Sequence, residues 1–440
     1  MSAHVSTTRS VSRRRFLQKT GLALAAVFPA LIPARALGRA GTVAPSSRVT
    51  LGLVGAGRGW QDLLAFLPFP DVQVVAVSDV DSRRMSRVVQ AVNTHYQSQS
   101  VRHHRNFREM FTRAKPDAVI LAAPDHWHTI MAVSALRAGI DVYGEIPLAH
   151  TLAEGRLICD AVRRHGRVWQ SGSWQRSEPD FRLAADLVGN GRLGKISNVE
   201  VGTHGGAASA LEQGMSAGPG DALLPPAHLN YGAWVGPAQW TDYNPLVTHA
   251  NWRFLLNYGG GMLMDGAGHY VDAALWALGL DRSGPVKISG SGTFATTPPW
   301  DVENRYRYTC IFDNGLTLTV SSEFATGVRF YGERGWIFVD REKLEASDPD
   351  LLLDVPGQEE SHVYRSENHH RNFIDCVKSR RVTVAPVETA HRAASIGHLG
   401  HIAIQTGRTL QWDPLSETIK DDPGAEALLE PVYRVSERFV

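Results

Sequence analysis

A short apolar run of buried-strand length, Val49–Val54, stops at Gly55-Ala56-Gly57-Arg58-Gly59, and a second run, Val72–Val77, ends in Ser78-Asp79. Strand, glycine loop, strand and terminal acid follow in the order expected of a dinucleotide-binding βαβ unit. Gly55 permits the tight turn and Gly57 lets the backbone approach a pyrophosphate, while the helix that follows offers its first N–H groups to the phosphate charge. Asp79 would accept hydrogen bonds from a ribose diol. Glycine loops also mark ordinary turns, and the third glycine of the usual GxGxxG spacing falls on Trp60, with Gly59 one position early. The flanking strands and the acid favour the cofactor reading, with Gly55, Gly57, Arg58, Gly59, Trp60 and Asp79 as candidate contacts. The charge of Asp79 favours NAD by repelling a 2′-phosphate. Arg83 and Arg84 nearby could pair with such a phosphate, so NADP stays open.

The chain has 440 residues, enough for two or three domains with cores of their own. Lysine plus arginine number 45 against 44 acids, so no basic field for nucleic acid exists. No apolar run is long enough to span a bilayer. Ser12-Arg13-Arg14-Arg15-Phe16-Leu17, the mild apolar stretch Gly21–Ile32 and Ala34-Arg35-Ala36 resemble a twin-arginine export signal with its cleavage site. A basic, frayed N-terminus is the alternative. The signal predicts a periplasmic or extracytoplasmic protein, not transmembrane once cleaved, that folds and loads its cofactor before export and holds it tightly. Cys159, Cys310 and Cys376 are far apart and show neither metal spacing nor a disulfide framework.

The expected domains are a signal peptide at 1–36, a linker at 37–47, a Rossmann domain at 48–169, a substrate and oligomerisation domain at 170–412 and a tail at 413–440. From 48 to 169 strands and helices alternate, which predicts an α/β fold with a doubly wound parallel sheet. Strands are expected at Asp117–Ala122, Asp141–Tyr143 and Arg167–Gln170, and helices at His128–Ala138 and Leu152–His165. Beyond Gln170 a helix at Phe181–Val188 and a strand at Ile196–Val201 precede a loop-rich stretch, 202–250, of a length that is more often functional than idle. A helix from Met262 to Leu278 is followed by strand-like runs at Val286–Gly290, Tyr306–Phe312, Leu316–Ser321 and Gly335–Val339. Helices at His370–Val377 and Ala390–Thr406 close the chain. Strands in succession point to an open, mostly antiparallel second sheet.

Chemistry is expected on the helix after Gly259-Gly260-Gly261, where Asp265, His269, Asp272 and Trp276 fall on one face at helical spacing. Asp265 and His269 suit a general acid/base pair: the imidazole takes a hydroxyl proton and the carboxylate orients it. A solvated surface face is the alternative. Ligands in open α/β sheets sit outside the carboxyl ends of strands, which selects Pro124, His126 and His128 in one loop and Glu145 and Pro147 in another as cofactor contacts. His126 and His128 have metal-like spacing, but partners are lacking, so no metal is expected. Trp174, Gln175, Arg176, Trp252 and Arg253 mix aromatic and polar groups as a carbohydrate site does, and Glu367-Asn368-His369-His370 has the same texture. Plain packing explains such mixtures equally well.

Taken together, VGAGRG with VSDVD, APDHWH, YGEIPLA, GSWQRSEPDFRLAADLVGNGRLGKI, GGGMLMDGAGHYVDAALWALG, NHHRNFIDCVKS and GHLGHIAIQTGRTLQWDP resemble the family named for glucose–fructose oxidoreductase, inositol dehydrogenase and the rhizopine-catabolism oxidoreductases (Gfo/Idh/MocA). The resemblance runs from about Val49 to Trp412. It implies a Rossmann domain, a C-terminal α/β domain with a large open sheet through which such proteins commonly form homo-oligomers, and hydride transfer between a nicotinamide and a carbon bearing a sugar or polyol hydroxyl. Asp265 and His269 match the family's D-x-x-x-H pair. The lysine of its Glu-Lys-Pro motif is missing: this chain has Glu145-Ile146-Pro147, with Arg176 and Arg253 as candidate substitutes. The resemblance, joined to the export signal, implies an exported oxidoreductase with tightly bound NAD(H) acting on a small carbohydrate. The alternatives are a glycoside-cleaving enzyme that uses NAD for transient C3 oxidation and elimination, and a non-catalytic carbohydrate- or nucleotide-binding relative.

Overall fold

The computed structural model describes residues 43–206, 223–296 and 298–434. The expected export signal lies outside the described residues, as do positions 37–42 of the linker and 435–440 of the tail. No described helix is long and apolar enough to cross a membrane.

Six strands, β1 (Val49–Val54), β2 (Val72–Ser78), β3 (Arg102–His104), β4 (Ala118–Leu121), β5 (Asp141–Gly144) and β6 (Trp169–Ser171), form the first sheet. Their order is β3-β2-β1-β4-β5-β6 and every pairing is parallel. Alternate residues of β4 enter two different cores, Ala118 and Ile120 on one side and Val119 and Leu121 on the other. This explains why the strands read as continuous apolar runs. Helices α1 (Gly59–Phe66), α2 (Ser82–Tyr96), α3 (Asp125–Arg137) and α4 (Leu152–His165) connect them. Asp81 caps α2 by accepting from the N–H groups of Arg83 and Arg84. Thr151 and Glu154 form a capping box on α4, which ends at Gly166 in the left-handed region. With β2 on one side of β1 and β4 on the other, the connections diverge and open a crevice at the strands' carboxyl ends.

The second sheet has nine strands: β7 (Ile196–Gly202), β8 (Lys287–Phe294), β9 (Glu303–Ile311), β10 (Thr317–Ser321), β11 (Gly327–Gly332), β12 (Gly335–Val339), β13 (Leu344–Ala346), β14 (Leu410–Asp413) and β15 (Thr418–Lys420). The order is β13-β12-β11-β7-β10-β9-β8-β14-β15, and only β7 and β10 pair in parallel. Along β9, Tyr306, Tyr308 and Cys310 are buried while Arg305, Arg307 and Ile311 are exposed, so one face is covered and the other open. Helices α5 (Pro179–Gly189), α6 (Gly261–Gly266), α7 (Asp272–Ala277), α8 (His369–Ser379) and α9 (Val387–Thr406) complete the chain. On the covered face, Gly400 of α9 lies where a Cβ would come within 2.7 Å of the Tyr308 ring. Helix α9 packs against β8, α4 and the turn joining α6 to α7, so it links the two sheets.

The expected α/β architecture of a parallel Rossmann sheet and a mostly antiparallel second sheet is the one observed. Strands β3, β13 and β15 have three residues each and are too short to display alternation, and β11 is bounded by glycines. None of these four, nor β14, was anticipated. The helix expected from Met262 to Leu278 is interrupted: Ala267–Val271 winds as a π-turn between α6 and α7.

Candidate active site

The crevice above β1 is a cleft of about 860 Å³, within the size range of small-molecule and cofactor sites. Gly55 holds φ at +93°, and a Cβ there would meet the Ala122 carbonyl oxygen at 2.4 Å, so the turn out of β1 requires glycine. Gly57 and Arg58 line the cleft, and Arg58 donates to Gln61 at 2.6 Å. Gly59 does not face it. A Cβ at Gly59 would lie 2.7 Å from Leu53 and 2.8 Å from Ala122, so this early third glycine lets α1 rest on the strands. Trp60 turns away from the cleft, against the core beneath α1. Asp79 lines the cleft and its two oxygens accept from the N–H groups of Ala56 and Asp81, both at 2.7 Å. Burial raises its pKa. Arg84 reaches over the loop, with Nη1 2.6 Å from where a Gly57 Cβ would stand, and Arg83 is exposed outside the cleft.

The loop-rich stretch crosses this cleft. Leu229 bridges Asp81, Ser82 N–H donates to the His228 carbonyl at 2.9 Å, and Asn230 N–H donates to the Val80 carbonyl at 3.0 Å. Asn230, Trp234 and His249 thereby form part of its wall. His126 is fully buried outside the cleft, its Nε2 3.1 Å from the Trp234 carbonyl and its pKa lowered to about 3 by burial. It fastens the strap rather than facing a ligand. His128 lines the cleft with its ring nitrogens against the carbonyls of Pro147 (2.9 Å) and Ala123 (2.7 Å). Pro124 is in the wall, whereas Pro147 is behind it.

Asp265 and His269 both reach the cleft, and Asp272 and Trp276 do not. The π-turn adds a residue to the winding and breaks the common face expected from uniform helical spacing. Asp272 instead receives two hydrogen bonds from Arg176, at 2.7 and 2.8 Å, and Arg176 also reaches Asp281 at 2.7 Å and lies over the Trp276 ring. Arg176 is 2% exposed and clear of the cleft, so it neither lines the expected carbohydrate site nor replaces the missing lysine. Gln175 sits behind His269, where its Oε1 is 3.0 Å from Nδ1. With Nδ1–H donated there, Nε2 is left as the acceptor. Burial holds His269 neutral by lowering its pKa to about 4; Asp265 opposes that shift, and Arg341, Arg58 and Arg253 add to it.

Ile146 is in the cleft wall, its side chain pressed on Gly268 of the π-turn, where a Cβ would fall 2.6 Å from Cδ1. Glu145, also in the wall, is hydrogen-bonded to Asp62, and burial together with the Asp62 charge keeps it protonated well above the usual range. Asp125 lines the same end. Burial raises its pKa far above normal, and its Oδ1 has no hydrogen-bond partner among the described residues. Trp252 and Arg253 line the cleft, the guanidinium 4.7 Å from the indole and 3.9 Å from Asp265. Trp174 lies beside the wall under Arg341. His369 is buried below the cleft and His370 half-buried beside it, 3.5 Å from Asp62. Sequence reasoning missed Asp62, Arg341 and the role of Asp125. Asp125 stood inside a motif already singled out, whereas Arg341 is brought to the site only by the second sheet. The cysteines are free and buried.

Residues 49–173 match the model of an oxidoreductase family's NAD-binding Rossmann fold, and residues 183–438 that of the same family's C-terminal alpha/beta domain. Among curated proteins the chain is similar to the D-glucoside 3-dehydrogenase of Escherichia coli, 25% identical over 79% of this chain and 92% of that one. It is also similar to a glycosyl hydrolase family 109 protein of Shewanella pealeana, 27% identical over 43% of this chain and 45% of that protein. Among solved structures, the WlbA dehydrogenase of Bordetella pertussis, crystallised with NADH and UDP-GlcNAcA, superposes with a TM-score of 0.60 at 17% identity, covering 82% of this chain and 98% of that one.

Proposed function

The chain belongs to the Gfo/Idh/MocA oxidoreductase family, and on that premise we propose that it oxidises or reduces a hydroxyl-bearing carbon of a sugar, polyol or glycoside with a tightly held NAD. The observation that carries this reading is His269, neutral and braced by Gln175, in the same cleft as Gly57 and Asp79. The glycine cradle fits a dinucleotide: Gly55 and Gly57 leave backbone open where any side chain would intrude, and Arg58 and Arg84 bring positive charge to it. A bound nicotinamide supplies the two-electron acceptor or donor. His269 takes the hydroxyl proton at Nε2 as the C–H bond gives up its electron pair and a carbonyl forms. Asp265 lies beside the imidazolium so produced and stabilises it. Ile146 donates no hydrogen bond to the developing alkoxide, so that charge falls to His269 and to Arg253 in the same wall.

The strap across the cleft supports a resident cofactor, as export through the twin-arginine route would require. The Arg13-Arg14 pair and the Ala34-Arg35-Ala36 site support a periplasmic location. The open face of the second sheet supports a homo-oligomer. A second reading, cleavage of a glycoside through transient oxidation at C3, is favoured by Asp125. A buried carboxyl that keeps its proton beside the cleft can donate it to a departing glycosidic oxygen.

The test is mass and absorbance analysis of the dinucleotide released from purified protein before and after incubation with sugars and glycosides. A stoichiometric NAD that becomes NADH with one substrate supports the oxidoreductase reading, and released aglycone without net NADH supports the cleavage reading. A protein that takes up neither NAD nor NADP overturns both.

A further inference from the structure

We propose that the substrate is a sugar acid, and that Arg341, with Arg253, selects it by pairing with its carboxylate. The inference rests on reading the cleft as a sugar site, but it makes a claim of its own about charge. Arg341 follows β12, on the turn into β13, and reaches the wall beside His269. Its guanidinium lies 4.7 Å from the centre of the Trp174 ring and 5.8 Å from that of Tyr270. Neighbouring Asp340 is held in its own turn, its Oδ1 accepting from the N–H groups of Glu342 and Lys343 at 2.7 and 2.8 Å. Among the described residues no carboxylate pairs with Arg341.

Arg253 repeats the arrangement across the site. It is stacked on Trp252, and Asp265 stands 3.9 Å from its Nε, at the outer limit of an ion pair. The other acids at this end, Asp125 and Glu145, are held towards their protonated forms by burial. Two guanidinium groups held on indole faces therefore border the reacting position, with one loosely placed carboxylate between them. A neutral sugar would leave that positive charge to solvent and to Asp265 alone. A carboxylate matches the planar fork of a guanidinium, and stacking on an aromatic ring fixes the fork in advance.

The experiment compares a methyl glucuronide with the corresponding methyl glucoside, and with glucose 6-phosphate as an anion of different geometry. Dissociation constants are read from tryptophan fluorescence on the cofactor-loaded protein, and cofactor reduction is recorded separately. The glucuronide is expected to bind about tenfold more tightly than the glucoside, a preference that weakens as salt rises. In Arg341→Ala and in Arg341→Gln the ratio should fall to about one, and Arg341→Lys should recover part of it. An unchanged ratio in the folded variants overturns the proposal, as does a wild-type preference for the glucoside or for the phosphate. Arg341-dependent glucuronide binding without any cofactor reduction upholds this inference while overturning the redox reading.

Discussion

His269 and Arg176 were both singled out for their chemistry, and their surroundings separate them. His269 faces the cleft as a neutral imidazole with one nitrogen occupied by Gln175, which is the state a general base needs. Replacing it with alanine should lower kcat by about 10²- to 10⁴-fold in steady-state assays, with KM changing far less. Arg176 is a buried cation with two carboxylates around it. Arg176→Ala would leave the buried Asp272 carboxyl without its partner, forced to take up a proton or remain an unpaired charge, and should destabilise the fold by about 3–5 kcal/mol in urea unfolding. Adding Asp272→Asn should recover part of that loss, which a role in substrate contact would not explain. Nothing local in the sequence distinguishes the two residues, since both lie in motifs rich in aromatic and polar groups. Only burial and partners do so.

At the scale of elements, the glycine loop was legible because its chemistry is local: a strand, a turn that needs φ above zero, and an acid at the next strand end. The helix carrying Asp265 and His269 was legible in position but not in winding. Uniform spacing placed Asp272 and Trp276 with them, and the π-turn at Ala267–Val271 sends those two to Arg176 instead. Gly268 within that turn lies against Ile146, the residue standing where the family places lysine. Gly268→Ala should therefore cost about 1–3 kcal/mol in thermal or urea unfolding through overpacking. Ile146→Ala in the same chain should relieve most of that cost, because it removes the atoms the new Cβ would meet. The short strands β3, β13 and β15 left no readable pattern, and the strap over the cleft was legible only as an irregular stretch too long to be idle.

The whole molecule buries many imidazoles. Burial lowers the pKa of His126, His369 and His398 to about 3 and of His150, His269 and His370 to about 4. An unfolded chain binds protons at these sites below about 6.5, whereas the folded chain does not until near 4 or lower. Stability should therefore fall as pH drops from about 6.5 towards 4, since the unfolded state takes up more protons across that window. Seven carboxyls, Asp62, Asp79, Asp125, Glu145, Glu154, Asp272 and Asp301, work in the opposite direction: their raised pKa values give stability at low pH that is lost as pH rises. With His104, His128, His249 and His391 also lowered by burial, ten histidines outnumber them among the described residues. Thermal unfolding across this range should show the midpoint rising with pH, and a flat or inverted profile would contradict the burial of these rings.

The assignment of His269 as the base, in a chain that has Ile146 in place of the motif lysine, is tested most directly by single-turnover reduction of the bound nicotinamide, followed by absorbance across pH. The wild type should reduce its cofactor with a rate that holds from neutral pH down towards about 4, where His269 becomes protonated. His269→Gln, compared at equal dinucleotide content, should be slower by about 10²- to 10⁴-fold and lose that acid limb. Equal rates and the same pH profile in both proteins would contradict the assignment and place the base elsewhere in the cleft.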